Sequence, residues 1–253
     1  MRLLMLGKGG CGKTTLSILI CRELVRRGLR PLLLDVDERS RGVAKLLGVA
    51  EPAWLVDAMG GPEGIYRLVN LGVRRILSLR DCLVKSRDGV FLAQAGKLMV
   101  GGEGCACAIH ASAISFLKSI EEGSKGFIVI DTGSSIEFLG RGVDGGLIDA
   151  ALFVATGSCD EVELAVRMER MCVEVGVPNF FVVLNKVRVD SRGQADRLRE
   201  LGFHVKGLVR HDPLVRWAWL KGQPLKAGVS ALDVKDLCDN LLSSLHIAVE
   251  ETS

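Results

Sequence analysis

The segment Gly7–Thr15, GKGGCGKTT, constrains this chain more than any other. It satisfies G-x-x-x-x-G-K-[ST] and lies between the apolar run RLLML at 2–6 and a helical pattern that begins at Lys13. A phosphate-binding loop needs that setting: the strand delivers the loop, and the following helix turns its free N–H groups and dipole toward an anion. Glycines at Gly9, Gly10 and Gly12 let backbone N–H groups close around phosphate oxygens. Lys13 is placed to reach the β- and γ-phosphates, Thr14 to offer its hydroxyl to Mg²⁺, and Thr15 to meet the α-phosphate, with Cys11 at the variable position. A glycine-rich turn before an ordinary helix would explain neither Lys13 nor Thr14. The expected ligands are ATP or ADP with Mg²⁺.

Short apolar runs alternate with helical patterns along most of the chain. RLLML, PLLLD, GFIVID, AALFVAT, NFFVVLNK and FHVKGLV read as buried strands, with helices expected at about 13–27, 108–122, 160–175, 191–201 and 230–248. Strands this apolar, separated by helices, predict an α/β, three-layer P-loop NTPase fold: a mainly parallel sheet flanked by helices on both faces. With 253 residues, 48% of them hydrophobic, the chain is long enough for one large core, and no linker or repeat divides it. The expectation is one domain over 1–253 with a less regular insertion at about 51–104, where Gly and Pro are scattered.

The 33 basic and 30 acidic residues form no block of either sign, so nucleic acid is not an expected partner. No apolar run approaches bilayer length, and Met1 runs into RLLML without room for a leader, which predicts a cytoplasmic protein with no membrane partner. In a reducing compartment the eight cysteines are expected to serve as metal ligands or reactive thiols before disulfide partners.

Lys8 is a second, earlier lysine in the loop. KGGxGK[ST] resembles the deviant Walker A of the class that includes MinD/ParA ATPases, the nitrogenase iron protein and arsenite-pump ATPases. The resemblance implies ATP hydrolysis to ADP and phosphate by a nucleotide-dependent homodimer, with Lys8 reaching across to the partner's nucleotide like an arginine finger. PLLLDVDE then supplies Asp37 at the first switch, where by resemblance it positions the attacking water; Glu38 stands where the class often has proline. FIVIDTG ends on Asp131, which resembles the Walker B aspartate that holds a water on Mg²⁺. By the same resemblance Asn185, at the end of FFVVLNKV, reads the adenine edge, and Pro213, in VRHDPLV, packs near the base.

GGEGCACAIH places Cys105 and Cys107 one residue apart. Two ligands are too few for a metal site, and the pair reads as poorly placed for an internal disulfide. No cysteine follows Asp131 in DTGSSIEFLGRG, so a nitrogenase-like cluster lacks its second ligand. GGEGCACA together with DTGSSIEFLGRGVDGGLIDAALFVATGS resembles the CooC-type accessory ATPases that mature nickel-containing carbon monoxide dehydrogenase, although Ala108 replaces the usual proline. The resemblance implies carbon monoxide dehydrogenase or a related nickel enzyme as client. In an extended segment residues i and i+2 project to one side, so a two-fold dimer would bring four sulfurs together. Such a set suits Zn²⁺ as a tetrahedron with Zn–S of about 2.3 Å, or Ni²⁺. Glu137 and Arg141 are candidate relays to the interface, and His110 has no assigned role. Two other readings remain: a MinD/ParA-like positioning ATPase without a transition metal, and an iron-sulfur redox ATPase.

Overall fold

In a computed structural model of the protein, the described residues are 1–40, 42–71, 79–101, 105–120, 126–133, 135–141, 143–188 and 192–247. The chain opens with β1 (Arg2–Gly7), passes through the glycine loop into α1 (Lys13–Arg26), and re-enters the sheet as β2 (Pro31–Asp35). It then runs through α2 (Gly42–Leu47), α3 (Leu55–Ala58) and α4 (Gly61–Leu71) to the strands β3 (Val84–Lys85) and β4 (Phe91–Gln94). The second half alternates: α5 (Cys107–Ser119), β5 (Phe127–Asp131), α6 (Ser135–Gly140), β6 (Ala150–Ala155), α7 (Cys159–Val175), β7 (Phe180–Val187), α8 (Arg192–Glu200), β8 (Val205–Arg210), α9 (Pro213–Lys221) and α10 (Val229–Ser244).

The strands form one eight-stranded sheet in the order β3-β4-β2-β5-β1-β6-β7-β8. Every neighbouring pair is parallel except β3 with β4. Side chains alternate across the pleat. Leu3 and Met5 therefore join a core with Leu16, Ile20 and Leu24 of α1 and Leu237 and Leu241 of α10. Leu4 and Leu6 join the opposite core with Ala113 and Phe116 of α5, Phe138 of α6 and Met168 of α7. Both faces are covered, as such continuously apolar strands require. Among the described residues no helix is long and apolar enough to cross a membrane.

Sequence patterning did not predict α2, α3, α4, α6, α9, β3 or β4; of these α4, with 11 residues, and α9, with nine, are long enough to carry a pattern, and the rest are short. β4 is four residues and ends on the buried Gln94, while α2 and α6 have six residues each. Segments of that length carry too little periodicity to be recognised, and packing defines them. In consequence the region at about 51–104, expected to be less regular, sends β4 back into the sheet beside β2.

Candidate nucleotide site and cysteine pair

The carboxyl ends of β1, β2, β5 and β7 meet at one edge, where an open α/β sheet places its ligand crevice. The glycine loop lies there over a cavity of about 620 Å³, a size that suits a nucleotide. Gly9, Gly10, Gly12, Lys13, Thr14 and Thr15 all line it. Gly12 has φ 105°, and a Cβ on it would sit 2.2 Å from Asn185 Nδ2, so no other residue fits without displacing Asn185. Asn185 Nδ2 donates to the Cys11 carbonyl at 2.8 Å, and Lys186 Nζ donates to the Gly10 carbonyl at 2.6 Å. The end of β7 thus braces the loop, a role for Lys186 that sequence reasoning missed. With its Nδ2 committed, Asn185 keeps Oδ1 as an acceptor. Lys13 Nζ donates to the carbonyls of Gly7 at 2.8 Å and Lys8 at 3.1 Å. The Cys11 side chain is buried in the core away from the cavity, so only its backbone takes part in the loop.

Asp131 is fully buried at the end of β5. Its Oδ1 accepts from Ser17 Oγ at 3.4 Å, the nearby Thr14 side chain favours its ionised form, and Oδ2 has no partner among the described residues. Burial first, and then the neighbouring Asp35 carboxylate, push its carboxyl up to about 7. An orphaned carboxylate oxygen beside Thr14 and near Lys13 fits the water shell of Mg²⁺, whose charge would restore the ionised form. Asp35, opposite Asp131 in register, has its own counter-ion: Lys97 Nζ lies 2.6 Å from Asp35 Oδ2, and Gln94 Nε2 donates to the same oxygen at 2.9 Å. Lys97 carried no motif and was not predicted.

Asp37 sits two residues beyond, its N–H donating to Asp35 Oδ1 at 3.0 Å and its Oδ1 accepting from Arg39 N at 3.0 Å. A Cβ on Gly133 would lie 2.2 Å from Asp37 Oδ1, so the segment after Asp131 and the segment of Asp37 touch through a glycine. Lys8 is exposed and points away from the cavity, with Nζ 2.6 Å from Asp160 Oδ2 in the first turn of α7. Reaching another subunit requires that exposed, solvent-screened pair to part. Pro213 begins α9 between His211 and Asp212 on one side and Val215 on the other, all of which line the cavity, while its own side chain is not among the lining residues. Arg216 and Trp219 of the same helix also line it, and Trp219 Nε1 donates to Thr15 Oγ1 at 2.9 Å. A helix-initiating proline marks where α9 starts, and its inward face follows two to six residues later.

Cys105 and Cys107 are exposed and joined in a disulfide, with Cα atoms 5.3 Å apart. Two expectations are corrected. The pair is not poorly placed for an internal disulfide, and the segment is not extended: Ala106, at φ −68° and ψ 12°, already turns into α5. That turn, instead of a pleat, brings the sulfurs to one side. Among the described residues no group of three or more His, Cys, Asp or Glu could hold a metal ion. Only after reduction does the pair offer two thiolates, half of a four-sulfur set. Arg141 Nη1 donates to Cys107 Sγ at 2.5 Å, and its Nη2 to Glu137 Oε2 at 3.1 Å. Both belong to or follow α6, whose Ser135 Oγ accepts from Gly7 N at 3.1 Å. A path of contacts therefore joins the glycine loop to the cysteines. His110, one turn beyond Cys107, is buried, with Nε2 3.5 Å from Glu38 Oε2 and its ring edge-on to Phe138.

Fold and site together define a P-loop ATPase. Residues 3–225 match the family of the CobQ/CobB/MinD/ParA nucleotide binding domain, and the chain belongs to it. An uncharacterized ATP-binding protein of Methanocaldococcus jannaschii is 31% identical over 254 residues, covering 95% of this chain and 99% of that one. The carbon monoxide dehydrogenase accessory protein CooC of Rhodospirillum rubrum is 25% identical over 269 residues, covering 99% and 97%. Among solved structures, the septum site-determining protein MinD of Pyrococcus horikoshii, complexed with Mg-ADP, superposes with a TM-score of 0.70 at 17% identity and covers 95% of each chain. That likeness concerns the fold.

Proposed function

We propose that this ATPase is a metal-handling accessory protein whose nucleotide-dependent homodimer gathers Cys105 and Cys107 from two subunits into a four-sulfur site for Ni²⁺ or Zn²⁺. The observation that carries the reading is the exposed cysteine pair bonded through Arg141 to α6, the helix that follows the Mg²⁺ aspartate. Lys13, Thr14 and Mg²⁺ held by way of Asp131 would stabilise the transferring phosphoryl group, Asp37 would orient water, and Lys8 would leave Asp160 for the partner's nucleotide. Asn185 Oδ1 suits the amino group of adenine and opposes the carbonyl of guanine. Bound metal would join the two subunits through thiolates. The likeness to CooC supports carbon monoxide dehydrogenase or a similar nickel enzyme as client.

A second reading, a partner-switching ATPase without a transition metal, draws on an equal likeness: a putative MinD of Chlorella vulgaris is also 25% identical, over 265 residues. Metal analysis of reduced protein separates the two. The proposed function predicts Ni²⁺ or Zn²⁺ in the wild type and none in Cys105→Ser/Cys107→Ser; equal metal in both proteins would overturn it. A brown, visibly absorbing protein after anaerobic reconstitution with iron and sulfide would favour iron-sulfur chemistry at the same cysteines.

A further inference from the structure

The chain leaves the sheet after β4, carries the cysteines, and enters α5, and both ends of this excursion are fastened to the segment of Asp37. At the outgoing end Lys97 Nζ binds Asp35 Oδ2 at 2.6 Å and the Asp37 carbonyl at 2.5 Å, and Leu98 N–H donates to the Glu38 carbonyl at 2.9 Å. At the returning end His110 Nε2 faces Glu38 Oε2 at 3.5 Å, three residues after Cys107. Asp35, Lys97, Glu38 and His110 are each 5% exposed or less, so solvent neither screens these contacts nor readily replaces them. Burial alone would raise the Glu38 carboxyl, yet it is held below its usual range, with His110 and, at 3.5 Å, Arg39 supplying the opposing effect.

The network is incompletely satisfied. His110 Nδ1 and Glu38 Oε2 have no regular hydrogen-bond partner among the described residues. A polar cluster of that kind contributes little net stability and suits an element with two arrangements. It also gives Glu38 a purpose at a position where a proline could not have paired with His110. Contacts through Arg141 also reach Cys107 from α6, and Phe138 of that helix packs edge-on against His110, so the two routes meet at α6.

We propose that Lys97 and the Glu38–His110 pair are positioning residues that couple Asp37 to the cysteine pair within one subunit. A γ-phosphate sensed at Asp37 displaces both ends of the excursion together. By reciprocity, a ligand on the reduced cysteines biases Asp37 toward its hydrolytic orientation. The coupling rests on the proposed function only for the identity of the cysteine ligand.

The test uses full-length, reduced protein, with alkylation at concentrations where light scattering shows monomer with either nucleotide and ATPase assays at concentrations where it shows dimer. Alkylation of Cys105 and Cys107 by iodoacetamide is followed by mass spectrometry with Mg-ADP and with Mg and a non-hydrolysable ATP analogue, beside steady-state ATPase assays. In the wild type the alkylation rate should differ by about fivefold or more between nucleotides, the lower end of ordinary coupling. Lys97→Met and His110→Gln should abolish that difference and lower kcat while KM for ATP stays near the wild-type value, and Lys97→Arg should recover part of kcat. If Lys97→Met does not fold, Glu38→Gln, which keeps shape and removes the charge facing His110, carries the same expectation. Wild-type nucleotide dependence in folded, ATP-binding variants would overturn the coupling, as would its absence from the wild type. The readout needs no metal, so failure of the metal site leaves this result standing, and the converse also holds.

Discussion

Replacing Asp131 by Asn should damage the ATPase and yet stabilise the nucleotide-free protein. The wild-type carboxyl is raised from 3.8 to about 7 by burial and by Asp35. Its folded value lies above its unfolded one, so the stability it contributes is complete below about pH 3.8 and is lost as pH rises to about 7. At about 1.36 kcal/mol per unit, the loss at pH 8 is about 4 kcal/mol. Asn removes it, but places an N–H₂ where Oδ2 has no partner, which costs about 1–3 kcal/mol. The net gain is about 2 kcal/mol, a Tm higher by about 6 °C for a chain of this size. Differential scanning calorimetry without Mg²⁺ or nucleotide, at pH 8 and pH 5, measures it, and the advantage should vanish or reverse at pH 5. With Mg-ADP the order should also reverse, because Mg²⁺ gains from the charge that Asn lacks. A variant that melts at or below the wild type at pH 8 in the free state would refute the reasoning, since Asp131 would then be neither desolvated nor orphaned as described.

Three further outcomes follow from particular contacts. Gly133→Ala places a methyl against Asp37 Oδ1, and if Asp37 orients water as proposed, kcat should fall by about tenfold or more with KM for ATP little changed, because the P-loop is left intact. Trp219 lines the cavity and donates to Thr15 of the glycine loop, so tryptophan fluorescence should change on Mg-ADP binding in the wild type and much less in Trp219→Phe. Arg141→Gln should slow alkylation of reduced Cys107 severalfold at pH 7, since the guanidinium that favours a thiolate is gone; an unchanged rate would detach Arg141 from that sulfur.

The glycine loop, Lys13, Thr14 and the strand-end aspartates were legible because each is a local pattern: residue type, spacing and the end of an apolar run. The sheet was legible for the same reason, since β1, β2, β5, β6 and the first five residues of β7 are nearly continuous apolar runs, with β8, VKGLVR, an interrupted one at the edge. Lys97, Lys186 and Trp219 were not, because each acts on residues far away in the chain: Lys97 on Asp35, Lys186 on Gly10, Trp219 on Thr15. A lysine or tryptophan in a polar stretch has no signature until the sheet brings those segments together. The resemblance pointed to Pro213, which starts α9, whereas Arg216 and Trp219, further along that helix and without any motif, line the cavity. At the cysteines, spacing placed both sulfurs on one side, but the geometry responsible is the first turn of α5 and the pair is oxidised.

The central claim, that nucleotide controls a cysteine site shared by two subunits, is tested most directly by native mass spectrometry of reduced protein with Zn²⁺ and either ADP or a non-hydrolysable ATP analogue. The account predicts one Zn²⁺ per dimer with the ATP analogue, little metal with ADP, and none on Cys105→Ser/Cys107→Ser in either state. Monomers holding Zn²⁺ with the affinity of the dimer would contradict it.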